Sequence, residues 1–94
     1  MQIVGFRHKD LERFWLRDQA RGVVRQYRDK LRAMLTVIEE AENIRELETV
    51  PGWRLHQLKG DRRGIWSMTV TRNQRLTFRL DGSRVTEINL EDYH

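Results

Sequence analysis

The stretch IWSMTVTRNQRLTFRLDGSRVTEINL, residues 65–90, contains runs in which apolar and polar side chains alternate. Trp66, Met68 and Val70 alternate with Ser67, Thr69 and Thr71, and Leu76, Phe78 and Leu80 alternate with Arg75, Thr77 and Arg79. Side chains of a strand point alternately to its two faces, so each run has one apolar and one polar side, as half-buried antiparallel strands do. Asp81-Gly82, between Leu80 and the run Val85 to Leu90, predicts a two-residue hairpin with positive φ at both central positions. Arg72-Asn73-Gln74 is a weaker turn signal between the first two runs.

Upstream, Trp53 to Lys59 reads as a further strand after the Pro51-Gly52 break, joined to the next by the basic loop Gly60-Asp61-Arg62-Arg63-Gly64. Before the break the period changes from two to between three and four. Val24, Tyr27, Leu31, Met34, Ile38 and Ala41 lie on one stripe of an amphipathic helix of about five turns that starts at Val23. Asp10 is placed to cap an earlier helix carrying Leu11, Phe14 and Trp15 and ending near Arg21-Gly22, and Asn43 to Leu47 adds a short helical turn. Met1 to Arg7, with Ile3, Val4 and Phe6, reads as one short strand. The expected architecture is α+β: two N-terminal helices packed on one face of a mostly antiparallel sheet of four to five strands. Trp66 and Phe78 belong to the core by their period, whereas Trp53, after the Pro-Gly turn, reads as either core or exposed.

The 94 residues fit one domain, 1–94, since domains run to about 50 to 250 residues. The chain has no Cys, which excludes disulfides, thiolate metal sites and thiol nucleophiles. No run of about 18 apolar residues marks a membrane span, and no leader is evident, so a cytoplasmic protein is expected. Net charge is +4, distributed unevenly: nine basic and four acidic groups over residues 1–32, one and five over 33–52, eight and five over 53–94. Fifteen of the eighteen cations are Arg, whose planar fork of donors matches phosphate oxygens, so nucleic acid leads the partner classes, with plain solubility as the competing explanation. A helix-turn-helix signature is missing, which disfavours DNA.

The chemistry-bearing residues are His56, Lys59, Arg75, Asp92, Tyr93 and His94. They suit phosphoryl transfer without a metal: a base for the ribose 2′-OH, a cation for charge building on the phosphate, and an acid for the leaving 5′ oxygen. A histidine ring serves as acid or base near neutral pH. No His pair stands at the i, i+4 spacing of a helical metal site, and Glu39, Glu40 and Glu42 lie in a separate stretch, so no metal or other cofactor is expected.

The order of four motifs is more specific than any of these residues alone. Trp53-Arg54-Leu55-His56-Gln57-Leu58-Lys59-Gly60-Asp61, then Gly64-Ile65-Trp66-Ser67-Met68-Thr69-Val70, then Asn73-Gln74-Arg75-Leu76-Thr77-Phe78, then the ending Leu90-Glu91-Asp92-Tyr93-His94, resemble the body and terminus of HigB toxins of the RelE superfamily over essentially the whole chain. The resemblance implies a RelE-like fold and a ribosome-dependent endoribonuclease that cuts translated mRNA in the ribosomal A site and is held inactive by a cognate HigA-like antitoxin. It carries His56, Lys59, Arg75, Asp92, Tyr93 and His94 over as site residues: His56 or Asp92 as base, His94 as acid, Arg75 and Lys59 on the transition state, Tyr93 orienting the nucleotide. Arg62, Arg63 and Arg79 are the further candidates for RNA phosphates. Gln57 stands where some relatives have Pro, and Gln74 where an aromatic residue often precedes the Arg. A toxin that occupies the ribosome without cutting is the alternative, and the free toxin is expected to be a monomer.

Overall fold

A computed structural model describes residues 1–92; Tyr93 and His94, two of the candidate site residues, lie outside the described residues. The chain runs β1 (Gln2–Ile3), α1 (Lys9–Arg17), a 3₁₀ turn (Arg25–Tyr27), α2 (Arg28–Glu40), α3 (Arg45–Glu48), β2 (His56–Gln57), a second 3₁₀ turn (Gly60–Arg62), β3 (Ile65–Thr71), β4 (Gln74–Asp81) and β5 (Arg84–Asp92). The sheet has the order β1-β5-β4-β3-β2, antiparallel throughout except that β1 pairs parallel to β5. This is the α+β architecture expected from the alternation of period.

The α2 stripe buries Leu31, Met34, Leu35 and Ile38 completely, and α1 adds Leu11 and Phe14. They meet Met68, Val70, Leu76, Phe78, Val85 and Ile88 of the sheet in one apolar cluster. Burying a Leu, Phe or Met side chain is favourable by about 1.5–3 kcal/mol, so this cluster is the main force that fixes one sheet face and leaves the other for chemistry.

Several boundaries differ from the expectation, each for a local reason. His8, not Asp10, caps α1: its Nδ1 accepts the Leu11 N–H at 3.0 Å, and Asp10 lies within the first turn. The helix stops at Arg17 because Asp18 adopts the left-handed conformation, φ 55°. Gly22 follows at φ 86°, where a Cβ would collide with the Asp10 side chain at 2.3 Å. The second helix begins later than Val23, and Val24 is half exposed at 52%, off the stripe. Arg28 accounts for this: its Nε donates to the Val23 carbonyl at 2.8 Å and its Nη2 to that of Ala20 at 3.1 Å, tying the connector in a non-helical path.

The predicted strand Trp53 to Lys59 shrinks to His56–Gln57, because Arg54 takes φ 49° and breaks the extended backbone. Trp53 is thereby turned into the core, and its carbonyl accepts the Thr69 N–H at 2.7 Å. Met1 to Arg7 is likewise interrupted: β1 pairs at Gln2 and Ile3, then pairing resumes at Phe6 with Ile88. The gap faces a bulge in β5 at Glu87, φ 52°. The last hairpin turns one residue later than predicted: Asp81 pairs with Arg84, Gly82 and Ser83 are central, and of the two only Gly82 has positive φ, the pattern of a II′ turn. Trp66 is half-buried against the edge of the core, whereas Phe78 is fully enclosed.

Candidate active site

The sheet face turned away from the helices carries a cleft of about 320 Å³, and strand register explains its shape. His56, Ser67 and Thr77 lie on one rung across β2, β3 and β4, and Thr69, Arg75 and Glu91 on the next across β3, β4 and β5. The floor is made by Ser67, Thr69 and Thr77, whose small hydroxyl side chains leave a hollow between longer neighbours. Ser67 and Thr77 are 2% and 3% exposed, so the polar face is closed over at its centre by the surrounding side chains. Arg54, His56, Arg62, Arg75, Glu91 and Asp92 form the walls.

His56 gets its orientation from the irregular residue beside it. The left-handed Arg54 presents its carbonyl to His56 Nδ1 at 2.8 Å. A carbonyl only accepts, so Nδ1 carries the proton, and the neutral ring keeps its lone pair on Nε2. Non-glycine residues held at positive φ cluster at functional sites, where surrounding structure supports the strain.

Arg75 is anchored through Nη1, which donates to the carbonyls of Thr71 at 3.0 Å and Gln74 at 3.1 Å, so the guanidinium is held at the turn between β3 and β4. Asp92 stands across from Gln74, whose Nε2 reaches Asp92 Oδ1 at 3.4 Å. The buried Oε1 of the same amide has no hydrogen-bond partner among the described residues.

Glu91 bridges two other residues of the cleft. Its Oε2 accepts from Arg62 Nη2 and from Thr77 Oγ1, each at 2.5 Å. Arg62 holds the carboxyl below its ordinary range, helped by the Thr77 hydroxyl and the field of Arg7, against an opposing push from burial. The same hydrogen bond raises Arg62 above the usual guanidinium value.

Of the predicted site residues, His56, Arg62, Arg75 and Asp92 come together in the cleft. Arg79 lines an adjoining shallow depression with Arg7, Arg62, Thr77 and Glu91, and its Nε pairs with Glu87 at 3.2 Å. Lys59 and Arg63 are exposed on the loop between β2 and β3 and do not line the cleft. Arg54 and Glu91 were missed as site residues. Glu91 was within reach, since it alternates with Leu90 and so faces away from the core. Arg54 carries no signal beyond its place after a Pro-Gly turn. Among the described residues no group of three His, Asp or Glu side chains is arranged to hold a metal ion, and no helix is long and apolar enough to cross a membrane.

Comparison with known proteins bears on the family and the fold. Residues 4–94 match the family described as RelE-like toxin of type II toxin-antitoxin system HigB. The chain is 39% identical over 92 residues to Endoribonuclease HigB of Proteus vulgaris, covering 98% of this chain and 99% of that protein. Among solved structures, the YoeB/ParE toxin from Agrobacterium tumefaciens superposes with a TM-score of 0.62 at 23% identity, covering all of both chains. YafQ from E. coli superposes with a TM-score of 0.57 at 16% identity, covering 97% of this chain and 89% of the other. The two superpositions bear on the fold alone.

Proposed function

The chain belongs to the HigB-like family of RelE-type toxins of type II toxin-antitoxin systems, and from that membership we propose that it is an endoribonuclease cutting translated mRNA in the ribosomal A site. A type II toxin implies a cognate antitoxin; here a HigA-like protein is the proposed neutraliser, with the ribosome and mRNA as the other partners and the free toxin a monomer. The observation that carries the catalytic reading is the convergence of His56, Arg75 and Asp92 on one cleft with a hydroxyl floor.

The reaction needs three operations. A base removes the 2′-OH proton, O2′ attacks phosphorus, and the bond from phosphorus to O5′ breaks while an acid protonates O5′, leaving a 2′,3′-cyclic phosphate and a 5′-hydroxyl. His56 has the tautomer of a base: with Nδ1 given to the Arg54 carbonyl, Nε2 is the nitrogen that accepts a proton. The anchored Arg75 is a preorganised cation for the crowded phosphate, and such preorganisation avoids reorganisation cost during the reaction. Asp92 is assigned to orient the acid or share the base role, and His94 and Tyr93 to protonate O5′ and hold the nucleotide. Lys59, Arg62, Arg63 and Arg79 are assigned to RNA phosphates, with Lys59 also assisting charge development. No step uses a metal.

Primer extension on a defined mRNA, with and without programmed ribosomes, tests the proposal. Wild type is expected to give discrete ribosome-dependent cuts, which disappear in His56→Ala and His94→Ala while both variants still bind ribosomes. Ribosome binding by the wild type without cuts would replace catalysis by steric occlusion.

A further inference from the structure

Glu91 places a carboxylate on the face proposed to take RNA, beside His56, Arg75 and Asp92. Its carboxylate lies on the border between the cleft and the adjoining depression, both of which it lines together with Arg62 and Thr77. Three groups favouring an anion converge on it: the Arg62 guanidinium, the Thr77 hydroxyl, and Arg7, which acts through its field. Thr77 is almost fully enclosed, so its hydroxyl is a fixed donor, whereas the Arg62 side chain is 46% exposed and reachable from solvent. A carboxylate and a phosphodiester present a guanidinium with the same feature, a pair of anionic oxygens in one plane.

We infer that Glu91 is the resident anion of a phosphate subsite formed by Arg62, Thr77 and Arg7, and that a backbone phosphate of the RNA neighbouring the scissile one displaces it. This rests on the reading of the chain as an RNA-cutting toxin. In the free protein Glu91 satisfies donors that would otherwise stand unpaired beside the cleft; on binding, one anion is exchanged for another. The arrangement also limits how tightly RNA is held away from its proper setting, because every RNA must compete with an internal carboxylate. The consequence is opposite to that of a structural brace: removing the charge of Glu91 strengthens RNA binding.

The test is fluorescence anisotropy at low salt with purified full-length toxin and a 2′-O-methyl RNA oligonucleotide, which cannot be cut for lack of a 2′-OH. Glu91→Gln keeps the shape and is expected to bind about three- to tenfold tighter than wild type, the range spanned by losing one charge-assisted competitor. Arg62→Gln is expected to bind more weakly, and the double variant to show none of the gain. A folded Glu91→Gln that binds no tighter overturns the subsite while leaving the RNA reading in place. Failure of the wild type to bind the oligonucleotide at low salt overturns the subsite, whereas the RNA-cutting reading stands or falls separately on the ribosome-dependent cuts in primer extension. If Glu91→Gln does not fold, the side-chain carboxyl ¹³C resonance of Glu91 in wild type decides: saturating RNA is expected to shift its titration upward as the carboxylate leaves Arg62, and an unmoved titration overturns the subsite.

Discussion

The arginines of the helical half and those of the cleft do different work with the same side chain. Arg28 spends its guanidinium on the carbonyls of Ala20 and Val23, Arg32 lies 4.5 Å over the Phe14 ring and pairs with Asp18, and Arg13 pairs with Asp10 one turn away. The contacts of Arg28 and Arg32 join α1, its connector and α2, while the Arg13 pair lies within α1. On the sheet, Arg62 and Arg75 stand at the rim of a concave surface, the first held by Glu91 and the second by turn carbonyls. The difference lies in what surrounds each residue. Arg28 and Arg75 both satisfy backbone acceptors that no regular element serves, but Arg28 does so between helices, whereas Arg75 does so on the wall of an open cleft. A basic composition is therefore not a map of the RNA-binding surface, and the basic N-terminal segment is in part structural.

Exchanging the two kinds of arginine for alanine is the way to break this division. Arg75→Ala is expected to have the largest effect, lowering the cleavage rate by roughly 100- to 1,000-fold, as loss of a preorganised donor at developing charge does. Its cost in stability should be about 2 kcal/mol, because the Thr71 and Gln74 carbonyls it serves are part-buried. Arg28→Ala should lose a similar amount, about 2 kcal/mol in urea denaturation through two charge-assisted hydrogen bonds, but with cleavage per folded molecule unchanged. Should Arg28→Ala abolish cleavage at wild-type stability, the division by contact fails and the helical surface joins the functional one. Arg32→Ala sharpens the comparison at smaller scale, with about 1 kcal/mol expected from its ring contact and exposed ion pair. Arg32→Lys should recover only part of this, since the flat guanidinium stacks better on Phe14.

How far the sequence could be read follows the same lines. One covered sheet face forces strict alternation, so Met68, Val70, Leu76 and Phe78 were legible as core, and with them the facing of Arg75. The motif order likewise pointed to the family that the relatives support. What escaped were features fixed by single backbone angles. Neither Arg54 nor Glu87 belongs to the residue types that commonly take positive φ, yet one shortens β2 and aims His56 while the other bulges β5. The hairpin slid by one residue because Gly82, the residue that tolerates positive φ, takes the first central position. Ser67 and Thr77 were legible as members of the polar face; their burial depends on how the walls of the cleft rise around them, which no single strand encodes.

The smallest effect expected concerns the pair that links the cleft to the stability of the fold. Glu91 titrates below its ordinary value of 4.5 in the folded protein, chiefly because of Arg62. A carboxyl whose folded pKa is depressed binds its proton less readily than in the unfolded chain. The stability it adds is therefore complete above the unfolded value and is lost as pH falls through the lowered folded value. With Arg62 nearly half exposed, the contribution should be no more than about 1 kcal/mol. Glu91→Gln should accordingly lie below wild type in melting temperature at neutral pH and converge on it as pH falls below the carboxylate range. A constant offset at every pH would assign Glu91 a packing role without charge, whereas convergence would show that the carboxylate is held at the cleft by an attraction weak enough for a competing anion to replace.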